Sequence, residues 1–233
     1  MHPPPHPPHL PHDNAPRCLP ALLGAAVTAG CEAGAIGYVL PAMRGATGAS
    51  AQMASWLLSV FVAATLVSVP LAALGARRWG AARLLRACLL LAVVAGVAAT
   101  VLPSPWGVLL ARLLQGMAHG PLLPLVAAVI VLHWPSDRQG RLLGMVSMAY
   151  GLSYVAATIG TPWLLLAGWR GAFTLGAGLA LVSLAWPLPA TVPVPAARSG
   201  TPWWRAFSRP MHAAVLLALG TGVGQSVLVW MPT

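Results

Sequence analysis

Seven apolar runs, each of roughly 20 residues or more, divide this chain and limit what it can fold into. A helix of that length satisfies its own backbone hydrogen bonds and, at 1.5 Å per residue, spans the about 30 Å of hydrocarbon in a bilayer. The runs fall near 18–42, 53–75, 84–102, 106–132, 142–166, 171–190 and 211–231. Composition agrees: 58% of the 233 residues are hydrophobic and 7% are charged, against about a quarter charged in a soluble domain. The expected fold class is all-α and integral to the membrane.

Arginine placement gives the expected orientation. With the N-terminus in the cytoplasm, the inside segments hold Arg17, then Arg77, Arg78, Arg83 and Arg86, then Arg138 and Arg141, then Arg198, Arg205 and Arg209. The outside loops hold only Arg44 and Arg170, the asymmetry of a positive-inside protein. Trp56, Trp106, Trp163, Trp169 and Trp230 fall near the outer interface, and Trp79, Trp134 and Trp186 near the inner one, as an aromatic belt requires. The net charge of +10 thus reads as membrane orientation, and nucleic-acid binding is not expected. The expected location is the plasma (inner) membrane, multi-pass.

Residues 1–17 form a Pro/His tract without apolar periodicity, read as a disordered, polyproline-leaning cytoplasmic tail. Its His2, His6, His9 and His12 either bind a metal weakly or are simply solvated. Residues 18–190 hold six helices, 191–210 a Pro- and Arg-rich cytoplasmic linker, and 211–233 a seventh helix. A lone seventh helix is an odd end for a bundle, so the chain is expected to be truncated. Cys18, Cys31 and Cys88 have no metal-ligand spacing, so neither a disulfide framework nor a metal site is expected, and no cofactor. Walker, His-Glu-x-x-His and nucleophile-elbow motifs are absent, which argues against an enzyme.

Polar residues inside the runs carry the functional reading. Arg112, Gln115 and His119 share one helix face in the fourth run, and such groups normally turn toward a polar interior. Glu32 in the first run is the one carboxylate within a run; Asp13 lies in the tail and Asp137 in a loop. At 1.5 Å per residue Glu32 lies about 15 Å below the outer end, Arg112 about 9 Å and His119 about 20 Å, so Glu32 can reach either. Burial favours the neutral carboxyl and a nearby arginine the carboxylate, which makes the pair switchable by conformation. Glu32 is therefore the expected protonation site, Arg112 its tuning partner, and His119 a relay or substrate ligand. The structural alternative is an ion pair that only fixes helix register, with His119 bonding a helix carbonyl near the Gly120-Pro121 break.

Ser147, Tyr150, Tyr154, Thr158 and Thr161 form one polar face of the fifth run. They line a substrate cavity or serve as hydroxyl packing between helices. Gln225 in the seventh run is a further cavity candidate. Gly116 and Gly120, at small-xxx-small spacing, are read as letting helices approach, and Arg77 and Arg78 as anchoring a cytoplasmic loop.

Several local motifs resemble those of the major facilitator superfamily. Glu32 to Pro41 (EAGAIGYVLP) looks like that family's acidic residue followed by Leu-Pro, and Trp56 with Phe61 resembles its Trp-x4-aromatic entry to helix 2. Pro70 to Gly80 (PLAALGARRWG) is similar to the helix 2–3 loop signature G-x-L-A-D-R-x-G-R-R. Ala76, Arg78 and Gly80 match; Ala73, Arg77, Ala81 and Ala82 depart from it. Arg112-Leu-Leu-Gln115-Gly116 matches the helix 4 signature R-x-x-Q-G. Pro135 to Arg141 resembles the turn before helix 5, and Gly168-Trp169-Arg170 with Phe173 the turn into helix 6. The antiporter helix 5 signature is poorly kept: its Gly-Pro position holds Ala156-Ala157 and its Gly-Gly position Gly160-Thr161, which leaves the direction of transport open.

The resemblance covers roughly 18–231, and implies the N-terminal six-helix half of such a transporter plus the first helix of the second half. It is closest to proton-coupled multidrug-efflux branches. The implied function is proton-coupled export of a small molecule by alternating access. The implied partners are a small-molecule substrate, protons, the lipid bilayer, and a missing C-terminal half or a second copy of the chain. The alternative is a non-transporting membrane protein, a truncated remnant or scaffold whose polar residues only stabilise packing.

Overall fold

The computed structural model describes residues 15–48, 50–102 and 104–189, which belong to the first of two units, Met1–Val194. The tail before Ala15, the linker at 191–210, the seventh run and Gln225 lie outside the described residues. These fold into α1 (Ala15–Thr47), α2 (Ala51–Trp79), α3 (Ala81–Val101), α4 (Pro105–His119), α5 (Leu122–His133), α6 (Ser136–Leu165) and α7 (Arg170–Ala185), with no strand among them. α1 starts at Ala15, inside the stretch expected to be tail. α4 and α5 are the two parts of the fourth run, so α6 corresponds to the fifth run and α7 to the sixth.

Five helical stretches are long and apolar enough to cross a membrane by length and composition, the fourth of them running Pro105–His133 through the α4–α5 break. The break falls at Gly120-Pro121, because Pro121 and Pro124 both lack an N–H for the ladder and crowd the preceding turn. The sixth run differs from expectation. Its helix stops at Ala185 after 16 residues, about 24 Å at 1.5 Å per residue. Trp186 is extended (φ −89°, ψ 144°), as the residue before Pro187 must be.

Local chemistry sets the other ends. Ser50 Oγ accepts from Met53 N–H (3.1 Å) to start α2, and Ser104 Oγ accepts from Gly107 N–H (3.0 Å) to start α4, with Pro105 in its first turn. Between α2 and α3 the chain turns on a single residue, Gly80, at φ 82°, a backbone state that a side chain disfavours. Arg77 and Arg78 are exposed in the last turn of α2, where the helix dipole favours cations.

The principal helix contacts are α1 with α6, α2 with α4, α3 with both α4 and α7, and α1 with α7; α1 barely touches α4. Two glycine pairs bring the first two contacts close. A Cβ at Gly30 or Gly34 would collide with the carbonyl oxygens of Tyr150 or Tyr154 on α6, so α1 lies directly against the α6 backbone. Likewise Gly116 faces the Phe61 carbonyl, and a Cβ at Gly120 would fall 2.8 Å from Ser68 Oγ on α2. Gly116 and Gly120 thus serve the close approach that their spacing suggested.

Apolar packing forms two clusters. One joins Leu22, Ala25, Ala26 and Ala29 of α1 to Leu85 and Leu89 of α3 and to Leu122, Val126, Val129 and Ile130 of α5. The other joins Val39 and Met43 of α1 to Leu57, Ala99, Val108, Ala111, Trp169 and Phe173. On α1 Glu32 falls between the two clusters, and on the fourth span so do Arg112 and Gln115, while His119 lies within the first cluster's stretch, between Ala118 and Leu122.

Candidate functional site

The polar layer between those clusters is built on α1, α2 and α4. Arg112 is fully buried (0% exposed) and Glu32 nearly so (8%). Arg112 Nη1 donates to Glu32 Oε1 in a buried ion pair, and also to Gln115 Oε1 at 2.8 Å. Its Nε donates to the Leu57 carbonyl (3.5 Å), and its guanidinium lies 4.3 Å from the centre of the Phe61 ring. A cation left in an apolar bundle is expensive, and here a carboxylate, an amide, a carbonyl and an aromatic face share that charge.

His119 sits one turn beyond Gln115, with Nδ1 2.8 Å from the Gln115 carbonyl oxygen. A carbonyl only accepts, so Nδ1 carries the proton, and in the neutral ring Nε2 holds a lone pair. Neither His119 Nε2 nor Arg112 Nη2 has a hydrogen-bond partner among the described residues. The Phe61 ring is the shared neighbour, 6.4 Å from the imidazole between ring centres. Of the two partners within reach of Glu32 by depth, the structure pairs it with Arg112.

The polar face of α6 is divided. Thr158 Oγ1 donates to the Tyr154 carbonyl (2.8 Å) and to the Gly34 carbonyl (3.3 Å), a bond across to α1. Thr161 Oγ1 donates to the Ala157 carbonyl (2.6 Å). Tyr150 is half-buried and packs at the edge of the first apolar cluster, whereas Tyr154 is 38% exposed. None of these residues hydrogen-bonds Glu32 or Arg112. A cavity of about 430 Å³ lies instead between α1, α6 and α7, lined by Glu32 and Thr161 among mostly apolar side chains.

Sequence reasoning passed over Ser153, whose Oγ donates to the Tyr150 carbonyl (2.9 Å) beneath Gly30, and the Leu57 carbonyl. It had Phe61 as a motif residue but not as the face over Arg112; the four-residue step from Leu57 to Phe61 on one side of α2 was the available signal. Trp169, in the Gly-Trp-Arg turn, is buried edge-on against Phe173 (5.9 Å, 87°). Arg170 stacks on it and donates to the Thr100 carbonyl (2.9 Å).

Comparisons with known proteins bear on the family. The family model described as Major Facilitator Superfamily matches residues 22–233. The chain is 26% identical over 152 residues to the "Multidrug export protein EmrB" of Haemophilus influenzae, a match covering 64% of this chain and 30% of that protein. It is 28% identical over 125 residues to the "Fatty acid resistance protein FarB" of Neisseria gonorrhoeae, covering 54% of this chain and 25% of that one. The chain thus spans less than a third of either relative. Among solved structures, the POT family transporter PepTSo superposes with a TM-score of 0.68 at 17% identity, over 79% of this chain and 40% of that one. The inward-open xylose transporter XylE of E. coli gives 0.62 at 16% identity, over 72% and 46%. At those identities the structural likeness concerns the fold. The family match, extending over nearly the whole sequence, carries the assignment: the chain belongs to the major facilitator superfamily.

Proposed function

We propose that this chain forms the N-terminal half, plus the first helix of the second half, of a secondary transporter that exports a small molecule in exchange for protons. The observation that carries the proposal is the buried Glu32–Arg112 pair. The other acidic residue among the described ones, Asp137, is exposed in the first turn of α6, which leaves Glu32 to hold a proton at mid-membrane depth. Hydrocarbon favours the neutral carboxyl and the guanidinium favours the carboxylate, so the charge on Glu32 follows its distance from Arg112. Arg112 itself does not release a proton. Gln115 holds the guanidinium in place through the same Nη1, and the Nε2 lone pair of His119 is the acceptor through which a proton is relayed.

In this reading two halves rock about a site near the membrane midplane, with Tyr150, Tyr154 and Thr158 on the substrate side of this half and Gln225 contributing from the seventh helix. The second half comes from further sequence or from a second copy of the chain. The N-terminus lies in the cytoplasm and the protein in the plasma (inner) membrane, as the arginine distribution favours. The export direction draws support from the names of the EmrB and FarB relatives.

The test is substrate-dependent proton flux in vesicles carrying the full-length protein. Flux should fall to background in Glu32→Gln. Flux that survives this change, or survives the double change Glu32→Ala with Arg112→Ala, refutes the coupling role and favours a pair that only fixes helix register.

A further inference from the structure

Four arginines gather at one end of the bundle. Arg77 and Arg78 close α2, and Arg83 and Arg86 stand in the first turns of α3, on either side of the turn residue Gly80. At 1.5 Å per residue all four lie within about 9 Å of Gly80 along the helix axes. All four are exposed, and none meets a carboxylate: the ion pair among the described residues joins Glu32 to Arg112. α3 itself is two-sided. Leu85, Leu89 and Ala92 are buried against the bundle, whereas Arg83, Arg86, Leu90, Val94, Val97 and Val101 are exposed. Steps of three and four residues set these six in one file along the helix. Two guanidiniums head the file. Its apolar part, Leu90 to Val101, runs about 17 Å at 1.5 Å per residue, close to half of the about 30 Å of hydrocarbon in a bilayer. Trp79, exposed at the end of α2, adds an indole at the level of the arginines, as at the edge of the hydrocarbon. Membrane orientation asks only for positive charge at this end; it does not ask for that charge to head an apolar file one leaflet long.

We propose that this file is a binding site for an anionic glycerophospholipid, its phosphate on Arg83 and Arg86 and an acyl chain along Leu90, Val94 and Val97. The planar guanidinium matches a phosphate in a bidentate fork. Arg77 and Arg78, across the Gly80 turn, raise the positive potential at the head of the file. They favour a lipid of net negative charge over a zwitterionic one, whose own cation they repel. A free phosphate would use the arginines and leave the apolar length unfilled. The site lies within α2 and α3 and stands independently of the transport reading.

The full-length protein in a neutral detergent is given equal amounts of phosphatidylglycerol and phosphatidylcholine, and bound lipid is followed by native mass spectrometry. Phosphatidylglycerol should bind about thirtyfold more tightly, from about fivefold for each of two arginines. Arg83→Gln with Arg86→Gln should remove that preference. Arg138→Gln with Arg141→Gln takes the same charge from exposed positions of α6 and should leave the preference unchanged. A phosphatidylglycerol with a diazirine in its acyl chain, which tests the site without any variant, should label the tryptic peptide 87–112 that carries Leu90, Val94 and Val97. A large excess of glycerol phosphate should not displace the lipid. Equal binding of the two lipids, equal losses in the two double variants, or label confined to other peptides would overturn the proposal. Displacement by glycerol phosphate would overturn it in favour of a free-anion site.

Discussion

Removing one member of the Glu32–Arg112 pair has unequal consequences, because the two groups differ in how they bear isolation. In Glu32→Ala the guanidinium keeps the Gln115 amide, the Leu57 carbonyl and the Phe61 ring, but loses its one ion-pair partner among the described residues. It is 0% exposed, and it cannot shed its proton. Stranding a buried charge in this way costs about 3–5 kcal/mol. In Arg112→Met the group left behind is a carboxyl, which discards its charge by taking up a proton. In acid the remaining loss is then a hydrogen bond plus imperfect packing, about 1–2 kcal/mol; at neutral pH the proton uptake itself adds about 1.4 kcal/mol for each pH unit above the ordinary glutamate pKa, roughly 3–4 kcal/mol more. Changing both residues to Met replaces the pair by apolar contact and should return stability to within about 1 kcal/mol of wild type. Equilibrium unfolding in mixed micelles with increasing SDS, at neutral and at mildly acidic pH, measures all three. Equal losses in the two single variants at acidic pH, a loss in Arg112→Met that does not shrink in acid, or a double variant whose loss is the sum of the singles, would refute the reasoning.

Four further outcomes follow from the packing and the charge pattern. Gly34→Leu drives a side chain into the Tyr154 carbonyl and should lower stability by about 2–3 kcal/mol in thermal unfolding. Gly37→Ala on the same helix meets nothing within 4 Å and should be neutral or gain up to about 1 kcal/mol. Ser104→Ala removes the cap of α4 and should cost about 1 kcal/mol in the same assay. For orientation, Gly45→Cys and Gly140→Cys place thiols at exposed positions. An impermeant maleimide on intact cells should label position 45 and spare position 140, and the reverse pattern would invert the assigned topology.

The order of the first six runs was legible because membrane length acts on each apolar run alone, and Arg112 with Gln115 stood out because charge and amide are rare in such runs. The partner of Arg112 was legible by elimination, since one carboxylate lies within the runs. What lay beyond reach depends on side-chain direction between helices distant in sequence. The face of α6 leaves Thr158 open between cavity lining and packing between helices, and only the structure shows its hydroxyl on the Gly34 carbonyl 124 positions away. The early end of α7 was the exception, since Pro187 and Pro189 stood in plain view beyond Ala185.

The position of the ion pair follows from the glycine contacts. Gly30 and Gly34 hold α1 against the backbone of α6, and Gly116 and Gly120 hold α4 against α2. Between these two helix pairs, α1 meets α5 through the cluster containing Leu22 and Val126 but hardly touches α4. Glu32 and Arg112 reach across that seam, one from each pair. Gly34→Leu and Glu32→Ala lie two positions apart on α1, so the joints they disturb are coupled: the first pushes α1 off α6 and carries the carboxylate with it, the second leaves both glycine contacts and removes the charge contact between the pairs. Their stability losses should therefore fall short of the sum, because the shift of α1 that Gly34→Leu imposes already loosens the ion pair. Losses that add in full would mean that α1 takes up the Gly34 side chain without moving Glu32.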